Sequence, residues 1–598
     1  MVRYGTSEPI SSVDVELVRV EGEDAIGTGM YSQGSLTITI SRSDNTGRPQ
    51  ALRTRTKADG RFRFGDLKPG TYRLSASHQG GLYCPAEYGQ KEWKGPGLDV
   101  VVPAGENVRN ANIEMIPPGT ISGRVVDENG NPAGRVRVMA IDASWKYGKL
   151  SLGIVQALYT DDHGDYRLFW LPPGRYFIAA RPEDPRRQNL TVIHFLPATV
   201  QPTREYLTKG FVTHRRLPTG ETIEEVVEAV YHGGDTDPRN ARAVDLASGV
   251  DVSGIDISLN GSRSPARRIR GVVLDATGRP VNKASVSAIP LIDKPTIVMP
   301  ETQTAADGSF ELTGVGSGAY VLRGVDRTPG VSGASGLVPI SPGGESIERI
   351  PVVVMPGFSV KGRIRVESAD ADGKTADLAG IRLLPTSDNL PNPSTQAFGA
   401  PRLDPPGSGI AAENGDFTIT GLYPGDYHMR VWPILNFYTG PPDVIPSSPA
   451  FQSLSSSLQN YYVKSIRLGQ NDVLNDGLHV DRAPEGDFEV VLGANGGVLE
   501  GSVTQPGRGT IANVTVVLVP DGLTRSRPDL YKSVRSDRAG RYLIRGITPG
   551  DYRLFAFERI EDGTWFDPDF LRANRARGVA IHVVEGENPA LNVGPVQP

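Results

Sequence analysis

Three features that are scarce in this 598-residue chain limit what it can be. It has a single cysteine, Cys84, so no disulfide can form within the chain. It has no apolar run of about 18 residues, which argues against a membrane-spanning helix. Neither charge sign dominates, because 63 Lys and Arg face 68 Asp and Glu for a net charge of −5. A chain with no basic surplus does not favour nucleic acid as a partner.

Motifs of the common catalytic sites are also missing from the sequence. None of the eight histidines stands in an H-E-x-x-H motif, which would offer two zinc ligands from one helix face. No serine lies in a G-x-S-x-G turn, which would expose a nucleophile at the end of a strand. The glycines around Gly316 belong to a repeated turn and open no helix for a phosphate. We therefore expect no catalytic residues, no metal and no cofactor.

Glycine and proline, by contrast, are abundant, with 70 and 48 residues. Both residue types interrupt secondary structure. Their excess in a chain that still has 38% hydrophobic residues favours many short strands joined by turns. The chain is also too long for a single compact core. The composition predicts an all-β protein of several domains.

One segment occurs five times in the chain with no change in its internal spacing. The copies are ADGRFRFGDLKPGTYRL (58–74), DHGDYRLFWLPPGRYFI (162–178), ADGSFELTGVGSGAYVL (306–322), ENGDFTITGLYPGDYHM (413–429) and RAGRYLIRGITPGDYRL (538–554). In every copy the second glycine follows the first by ten residues, and the second aromatic follows the first by ten. A slip of one residue would turn each apolar side chain of a strand to solvent, which explains the constant count.

We interpret each copy as a strand, a loop and a second strand. In the first copy, Asp59 and Gly60 supply a tight turn, because Asp bonds its own backbone and glycine tolerates a positive φ. Phe62 and Phe64 then alternate toward one face, as a strand requires. The apolar residue before the Pro-Gly step, Leu67 in this copy, is predicted to fill the core.

A second block precedes the first in most of the chain. Its clearest copies are ISGRVVDENGNPAGRVRV (121–138) and IRGVVLDATGRPVNKASV (269–286), with looser copies at VKGRIRV (360–366) and LEGSVTQ (499–505). An Asn-Gly or Thr-Gly dipeptide between alternating apolar residues is typical of a β-hairpin. The block is therefore predicted to form a hairpin.

The two blocks divide the chain into five predicted modules, each an Ig-like or prealbumin-like antiparallel β-sandwich. The predicted ranges are 1–118, 119–262 with an insertion, 263–356, 357–491 with long loops, and 492–598. Their limits fall near Pro-Gly or Gly-Gly steps, such as Pro118-Gly119 and Pro356-Gly357.

The first module lacks the opening strand of the second block. Pro9, Val13 and Val15 match the end of that block, but nothing before them can supply a full partner strand. Natural sheets avoid such an unpaired edge. The first residues, Met1 to Gly5, also have no apolar core of a signal peptide. We therefore hypothesise that a strand and a signal peptide precede residue 1 in the intact protein.

The two blocks read G-x-V-x-D-x-x-G-x-P and T-x-x-D-G-x-F-x-L-x-x-L-x-P-G-x-Y, and together they resemble the carboxypeptidase regulatory-like domain. This domain is a transthyretin-like or prealbumin-like sandwich, similar also to adhesin B-type and starch-binding-like, carbohydrate-binding-like folds. The tandem arrangement is similar to exported acidobacterial proteins. The resemblance covers most of the chain. It implies a non-enzymatic bacterial protein that is periplasmic, cell-surface or secreted, and sometimes carbohydrate-binding.

Aromatic residues in loops are the remaining candidates for ligand contact, because a ring face stacks on the C–H face of a pyranose. Trp145 and Tyr147 lie in the insertion of the second module, and Trp565 and Phe566 lie in a loop of the fifth. Core packing is the competing interpretation for every tryptophan. It is the favoured one for Trp170, which directly precedes a predicted core residue.

We expect a non-catalytic structural or adhesion protein that presents loops to a polysaccharide or to a surface protein. Two alternatives stay open, a carbohydrate-binding protein for glycan capture and an accessory subunit of a separately encoded hydrolase. Sugar binding that is lost in Trp145→Ala or Trp565→Ala would favour the first alternative. Copurification with a hydrolase would favour the second.

Overall fold

The computed structural model describes 17 stretches of the chain, with gaps between them. They are residues 1–20, 51–90, 93, 97–146, 149–182, 212–216, 219–291, 300–316, 318–326, 334–341, 346–367, 377–387, 407–432, 457–522, 527–537, 539–560 and 563–596. Strands dominate these ranges, which confirms the all-β prediction. The helical segments described are the α-helix Pro568–Asn574 and the 3-10 turns Pro238–Asn240, Pro528–Leu530, Thr564–Phe566 and Arg575–Arg577.

The first two predicted modules contain short strands throughout their described parts. The first has Val2–Arg3, Val13–Val20, Leu52–Arg55, Gly70–His78, Ala86–Glu87, Val100–Val102 and Glu114–Met115. The second has Gly119–Val126, Val136–Lys146, Lys149–Tyr159, Asp165–Leu171, Gly174–Pro182, Val212–Arg216, Thr222–Val227, Val230–Tyr231, Val244–Leu246, Asp251–Val252 and Ile257–Ser258.

The other three modules repeat this pattern. The third has Arg263–Pro265, Arg267–Asp275, Ser285–Pro290, Glu301–Gln303, Ser309–Val315, Tyr320–Asp326, Ala334–Ile340 and Ile347–Pro356. The fourth has Phe358–Glu367, Arg382–Ser387, Gly409–Ile410, Asp416–Leu422, Gly425–Trp432, Tyr462–Leu468, Asn471–Asp472, Leu478–Val480 and Phe488–Gly493. The fifth has Gly497–Ser502, Thr504–Gln505, Gly509–Thr510, Thr515–Pro520, Lys532–Arg535, Arg541–Ile547, Gly550–Phe557 and Val579–Val583.

The hairpin predicted for the second block is wrong. In the second module, Gly119–Val126 pairs with Asp165–Leu171, whereas Val136–Lys146 pairs with Gly174–Pro182 in the other sheet. The two halves of the block are joined by a short bridge between Val126 and Pro132, with backbone hydrogen bonds from Ala133 to Val125 and from Asp127 to Asn131 beside it. Proline has no N–H to continue a ladder, so the chain crosses from one layer of the sandwich to the other.

The first and last strands of a module run parallel, which closes one layer. Arg267–Asp275 lies parallel to Ile347–Pro356 in the third module, and Phe358–Glu367 lies parallel to Phe488–Gly493 in the fourth. In the first module, Val2–Arg3 pairs in this way with Glu114–Met115. The predicted antiparallel β-sandwich is confirmed, and these modules add one parallel pair of strands where the two ends of the module lie side by side.

Buried apolar side chains form an inner cluster within each predicted module. The clusters draw on residues 1–115, 121–259, 269–354, 360–492 and 499–593. The apolar residue of the second turn is fully buried in later copies, as in Leu171, Val315 and Leu422. In the first copy the prediction is wrong, because Leu67, Phe62 and Phe64 are only partly buried and residues 61–67 form no strand. The predicted limit at 491 falls inside the strand Phe488–Gly493, since Leu492 belongs to the fourth cluster.

Candidate functional site

Trp565 and Phe566 are core residues in the structure, with 2% and 5% of their surface exposed. They pack on the outer face of the fifth module's sheet, against Val517, Phe555 and Phe557. No ring face of these two residues is open to a sugar in this arrangement. The sequence does carry a signal for this second core, because the strand Thr515–Pro520 is buried along its whole length and reads as apolar on both faces.

The other predicted pair falls at the edge of what the structure describes. The backbone of Trp145 lies in the strand Val136–Lys146, where it pairs with Leu150 of the next strand. The side chain of Trp145 and the whole of Tyr147 lie outside the described residues. A sugar platform at these two residues stays a prediction.

A different aromatic pair is exposed, at the end of the strand Asp165–Leu171. Phe169 is 41% exposed and Trp170 is 51% exposed. Their ring centroids are 5.0 Å apart with an interplanar angle of 82°, an edge-to-face contact. The prediction that Trp170 packs into the core is therefore wrong. Leu171, the next residue, fills that place.

The exposure of Trp170 follows from a β-bulge. The register with Gly119–Val126 shifts between Leu168 and Leu171, so the two aromatic residues stand outside the regular ladder. Trp170 has a φ of 56°, in the left-handed region. The matching positions of three other copies of the repeat hold glycines with positive φ, namely Gly314, Gly421 and Gly546. A non-glycine residue there costs roughly 1 kcal/mol.

Gln156 on a neighbouring strand holds the bulge in place. Its side-chain Nε2 donates to the Phe169 carbonyl oxygen at 3.0 Å, and its Oε1 accepts from the Phe169 N–H at 3.1 Å. One amide side chain therefore pairs with both backbone groups of Phe169, which would be costly to leave without hydrogen bonds.

The Trp170 ring also rests on the first module. A Cβ built on Gly81 would lie 3.5 Å from Cδ2 of the indole, so the turn at Gly81 lies against the ring. The next residue, Leu82, is 57% exposed. Along the same strand, Arg167 forms an ion pair with Asp251 at 3.6 Å. Aromatic and charged groups thus share this surface.

Side-chain contacts also link other neighbouring modules. The Tyr462 hydroxyl donates to the Glu585 carboxylate at 2.6 Å, from the fourth module to the fifth. Burial, together with this carboxylate, raises the pKa of Tyr462. Arg268 of the third module donates to Glu224 of the second at 2.8 Å. The strand Arg263–Pro265 pairs with Thr222–Val227, so one small sheet spans the junction between the second and third modules.

A cleft lies at the junction of the fourth and fifth modules. Met429, Tyr462 and Leu474 line it on one side, and Asp529 and Lys532 line it on the other. Lys532 is 3% exposed. Burial lowers the pKa of Lys532 to about 8, against the opposing effect of Asp529. The junction therefore keeps a nearly desolvated amine beside apolar side chains.

Within the described ranges, no three His, Cys, Asp or Glu side chains are grouped so that they could hold a metal ion. The helices described there are too short or too polar to cross a membrane.

Comparison with known proteins finds no matching family model and no matching curated protein. Among solved structures, the chain is similar to the Bacillus anthracis TIE protein, with 10% identity and a TM-score of 0.15 over 70% of this chain. That match spans 63% of the TIE chain, less than two thirds of its length. A streptococcal ancillary pilin matches at 11% identity and a TM-score of 0.18, over 56% of this chain and 100% of the pilin. The minor pilin GBS52 of Streptococcus agalactiae matches at 15% identity and a TM-score of 0.20, over 43% of this chain and 87% of the pilin.

Proposed function

We propose that this chain is a non-catalytic structural or adhesion protein that works outside the cytoplasm. In this proposal, five β-sandwich modules with limits near 118, 262, 356, 493 and the end of the chain act as a scaffold. The scaffold displays loops to a polysaccharide or to another surface protein. The resemblance of the repeated blocks to carboxypeptidase regulatory-like domains supports the location.

The observation that carries the proposal is the hydrogen bond from Tyr462 to Glu585. Tyr462 is 4% exposed, whereas Glu585 is an exposed residue, so a buried ring directs its hydroxyl to a carboxylate at the surface. A hydrogen bond to a charged group is stronger than one between neutral groups, and this one joins two successive modules. A chain that holds successive modules in this way resists bending between them, as a spacer or adhesion protein must.

The use of the repeated residues supports the same proposal. Gly164, the first glycine of this copy, has a φ of 74°, which the tight first turn of the repeat requires. Leu171 fills the core. The residues that recur in the sequence are therefore engaged in folding, which leaves the variable loops for recognition.

The location and the role are tested on intact cells of the native host. We expect antibodies against the purified chain to label intact cells. We also expect cells of a strain that lacks the chain to lose their attachment to the polysaccharide or protein surface on which the host grows. Labelling that appears only after the cells are lysed would contradict the proposal.

X-ray scattering tests separately whether the modules are held rigidly. We expect the double variant Tyr462→Phe, Glu585→Gln to broaden the distribution of interatomic distances, while Glu348→Gln, which breaks an exposed pair within the third module, leaves it unchanged.

A further inference from the structure

We propose that the bulge at Phe169 and Trp170 is a carbohydrate-binding site, which takes a pyranose unit of a neutral polysaccharide. The inference deepens the proposed function and rests on it, since it names the ligand that the displayed surface holds. The site lies where the second module meets the first, at the turn of Gly81.

The backbone of the bulge is the first reason. The repeat has a left-handed residue at this position in all five copies, which is glycine in three modules and Asp66 in the first, so Trp170 is the one bulky aromatic residue placed there. The core gains nothing from Trp170, because Leu171 supplies the buried side chain. Residues kept in such strained positions cluster at binding and catalytic sites, where the surrounding structure holds them. The bulge therefore presents the indole at the expense of local backbone preference.

The second reason is that the rings are held before a ligand arrives. Gln156 fixes the backbone of Phe169 through two hydrogen bonds, and the Phe169 ring packs edge-to-face on the Trp170 ring. The turn at Gly81 supports the indole from the first module. A platform that is already ordered loses little conformational freedom on binding, which favours weakly interacting ligands such as sugars.

The chemistry around the rings indicates the ligand. A pyranose offers an apolar C–H face to an aromatic ring and a rim of hydroxyl groups to polar partners. Arg167 lies two residues before Phe169, on the same face of the strand, and is paired with Asp251. Guanidinium and carboxylate together donate to and accept from neighbouring hydroxyls.

The size of the surface favours a sugar over a protein. Two aromatic side chains at about half exposure present on the order of 200 Å². A stable protein interface needs about 800 Å² from each partner. A single pyranose ring, in contrast, covers roughly one aromatic ring.

The test uses the full chain and isothermal titration with hexasaccharides of glucose, xylose, mannose and N-acetylglucosamine. We expect at least one of them to bind, and Trp170→Gly and Phe169→Thr each to weaken that binding by about tenfold or more. Both substitutions introduce residues found at the same positions in the fourth module, Thr420 and Gly421, so the fold is retained. Leu543→Thr removes a 42% exposed apolar side chain from the same repeat of the fifth module and serves as the control.

Two results would overturn the inference. One is that no hexasaccharide binds at up to about 10 mM. The other is that a sugar binds with equal affinity to the folded Trp170→Gly and Phe169→Thr variants. A protein partner that depends on Trp170, with no sugar bound, would also count against it. Cell labelling and scattering test the proposed function without sugars, so the two ideas fail separately.

Discussion

The hydroxyl of Tyr552 donates a hydrogen bond to the carbonyl oxygen of Thr548, four residues earlier, at 2.7 Å. The same bond recurs across the second turn of other copies of the repeat, from Tyr72 to Lys68, Tyr176 to Pro172 and Tyr427 to Tyr423. Each tyrosine ring is buried, and the hydroxyl satisfies a carbonyl that the turn leaves without a ladder partner. This bond explains why the second aromatic of every copy is tyrosine, whereas the first is phenylalanine or tyrosine.

We therefore expect Tyr552→Phe to lower the free energy of unfolding of the fifth module by about 1 kcal/mol, because it leaves a turn carbonyl unsatisfied. Denaturant unfolding of the full chain measures the change, in a background where the other four of the five tryptophans are phenylalanine, so that the fluorescence reports Trp565. Tyr427→Phe is the matched variant in the fourth module, and it should leave the Trp565 signal unchanged. An unchanged free energy of unfolding in Tyr552→Phe would show that the hydroxyl does not stabilise the turn.

Gly271 lies where the first strand of the third module meets both its last strand and a ring. A Cβ there would lie 2.1 Å from the Ile350 carbonyl oxygen and 2.8 Å from the Phe310 ring. Since neither neighbour is a flexible chain end, Gly271→Ala should destabilise the third module by about 3 kcal/mol. Gly65→Ala is the control, because a Cβ at Gly65 meets nothing within 4 Å. Equal melting temperatures for the two variants would contradict the close approach.

The lowered pKa of Lys532 predicts that the free energy of unfolding rises with pH. Its pKa is lowered to about 8 from 10.5, so above about pH 8 the folded chain releases a proton that the unfolded chain still binds. Stability then increases with pH up to about 10, and the full effect is roughly 3 kcal/mol. Lys532→Met should remove this rise and stabilise the chain at pH 7, whereas the exposed Lys464→Met should keep the rise. Unfolding midpoints measured between about pH 7 and 9.5 test this prediction. A midpoint that does not change with pH in the native chain would exclude a buried charged amine.

Cys84 should be chemically silent in the folded chain. The thiol is buried, and burial raises its pKa to about 12 from 9.0. Because the thiolate is the reactive form, a disulfide reagent at neutral pH should label it slowly before unfolding and at once in denaturant. Thiol titration with and without guanidinium makes the comparison. Rapid labelling of the folded chain would mean that the first module opens around Cys84.

Trp565 separates core packing from ligand contact. Trp565→Ala should destabilise the fifth module by about 3 to 5 kcal/mol, since it opens a cavity on the outer face of the sheet. We expect it to leave sugar affinity unchanged in conditions where the module stays folded. The contrast is with Trp170→Gly, which should keep the fold and lose the sugar. Calorimetry measures the stability of both variants, and titration measures their sugar affinity. A stable Trp565→Ala variant that has lost sugar binding would show that Trp565 belongs to the ligand site.

The strands of the repeat could be predicted because their information is local. Alternating residues such as Phe417 and Ile419 define a face, and a constant ten-residue count defines the register. Both residues are buried in the fourth module as that pattern requires. Pairing across layers could not be predicted in this way. The block around Pro132 has the local signature of a hairpin, but its two strands find partners far along the chain.

The candidate site shows the same division. Trp565 lies in a loop by sequence, yet it covers the outer face of a sheet, because both faces of that sheet are apolar. The sequence does hold one signal for Trp170, since the same position of the repeat is glycine in three modules, as Gly314, Gly421 and Gly546, and Asp66 in the first. A bulky residue in a glycine position indicates a special backbone, but it does not say which way the ring points.

By itself, the sequence determined that this chain is all-β, where most strands of the repeat lie, and that residues such as Leu171, Val315 and Leu422 fill inner cores. These properties depend on residue period and turn chemistry, which act over a few neighbours. Tertiary structure alone decided that the first and last strands run parallel, that Trp565 is enclosed and that Trp170 is displayed beside Gly81. Each of these depends on residues far apart in the chain, whose meeting is set by the packing of whole layers rather than by any local pattern.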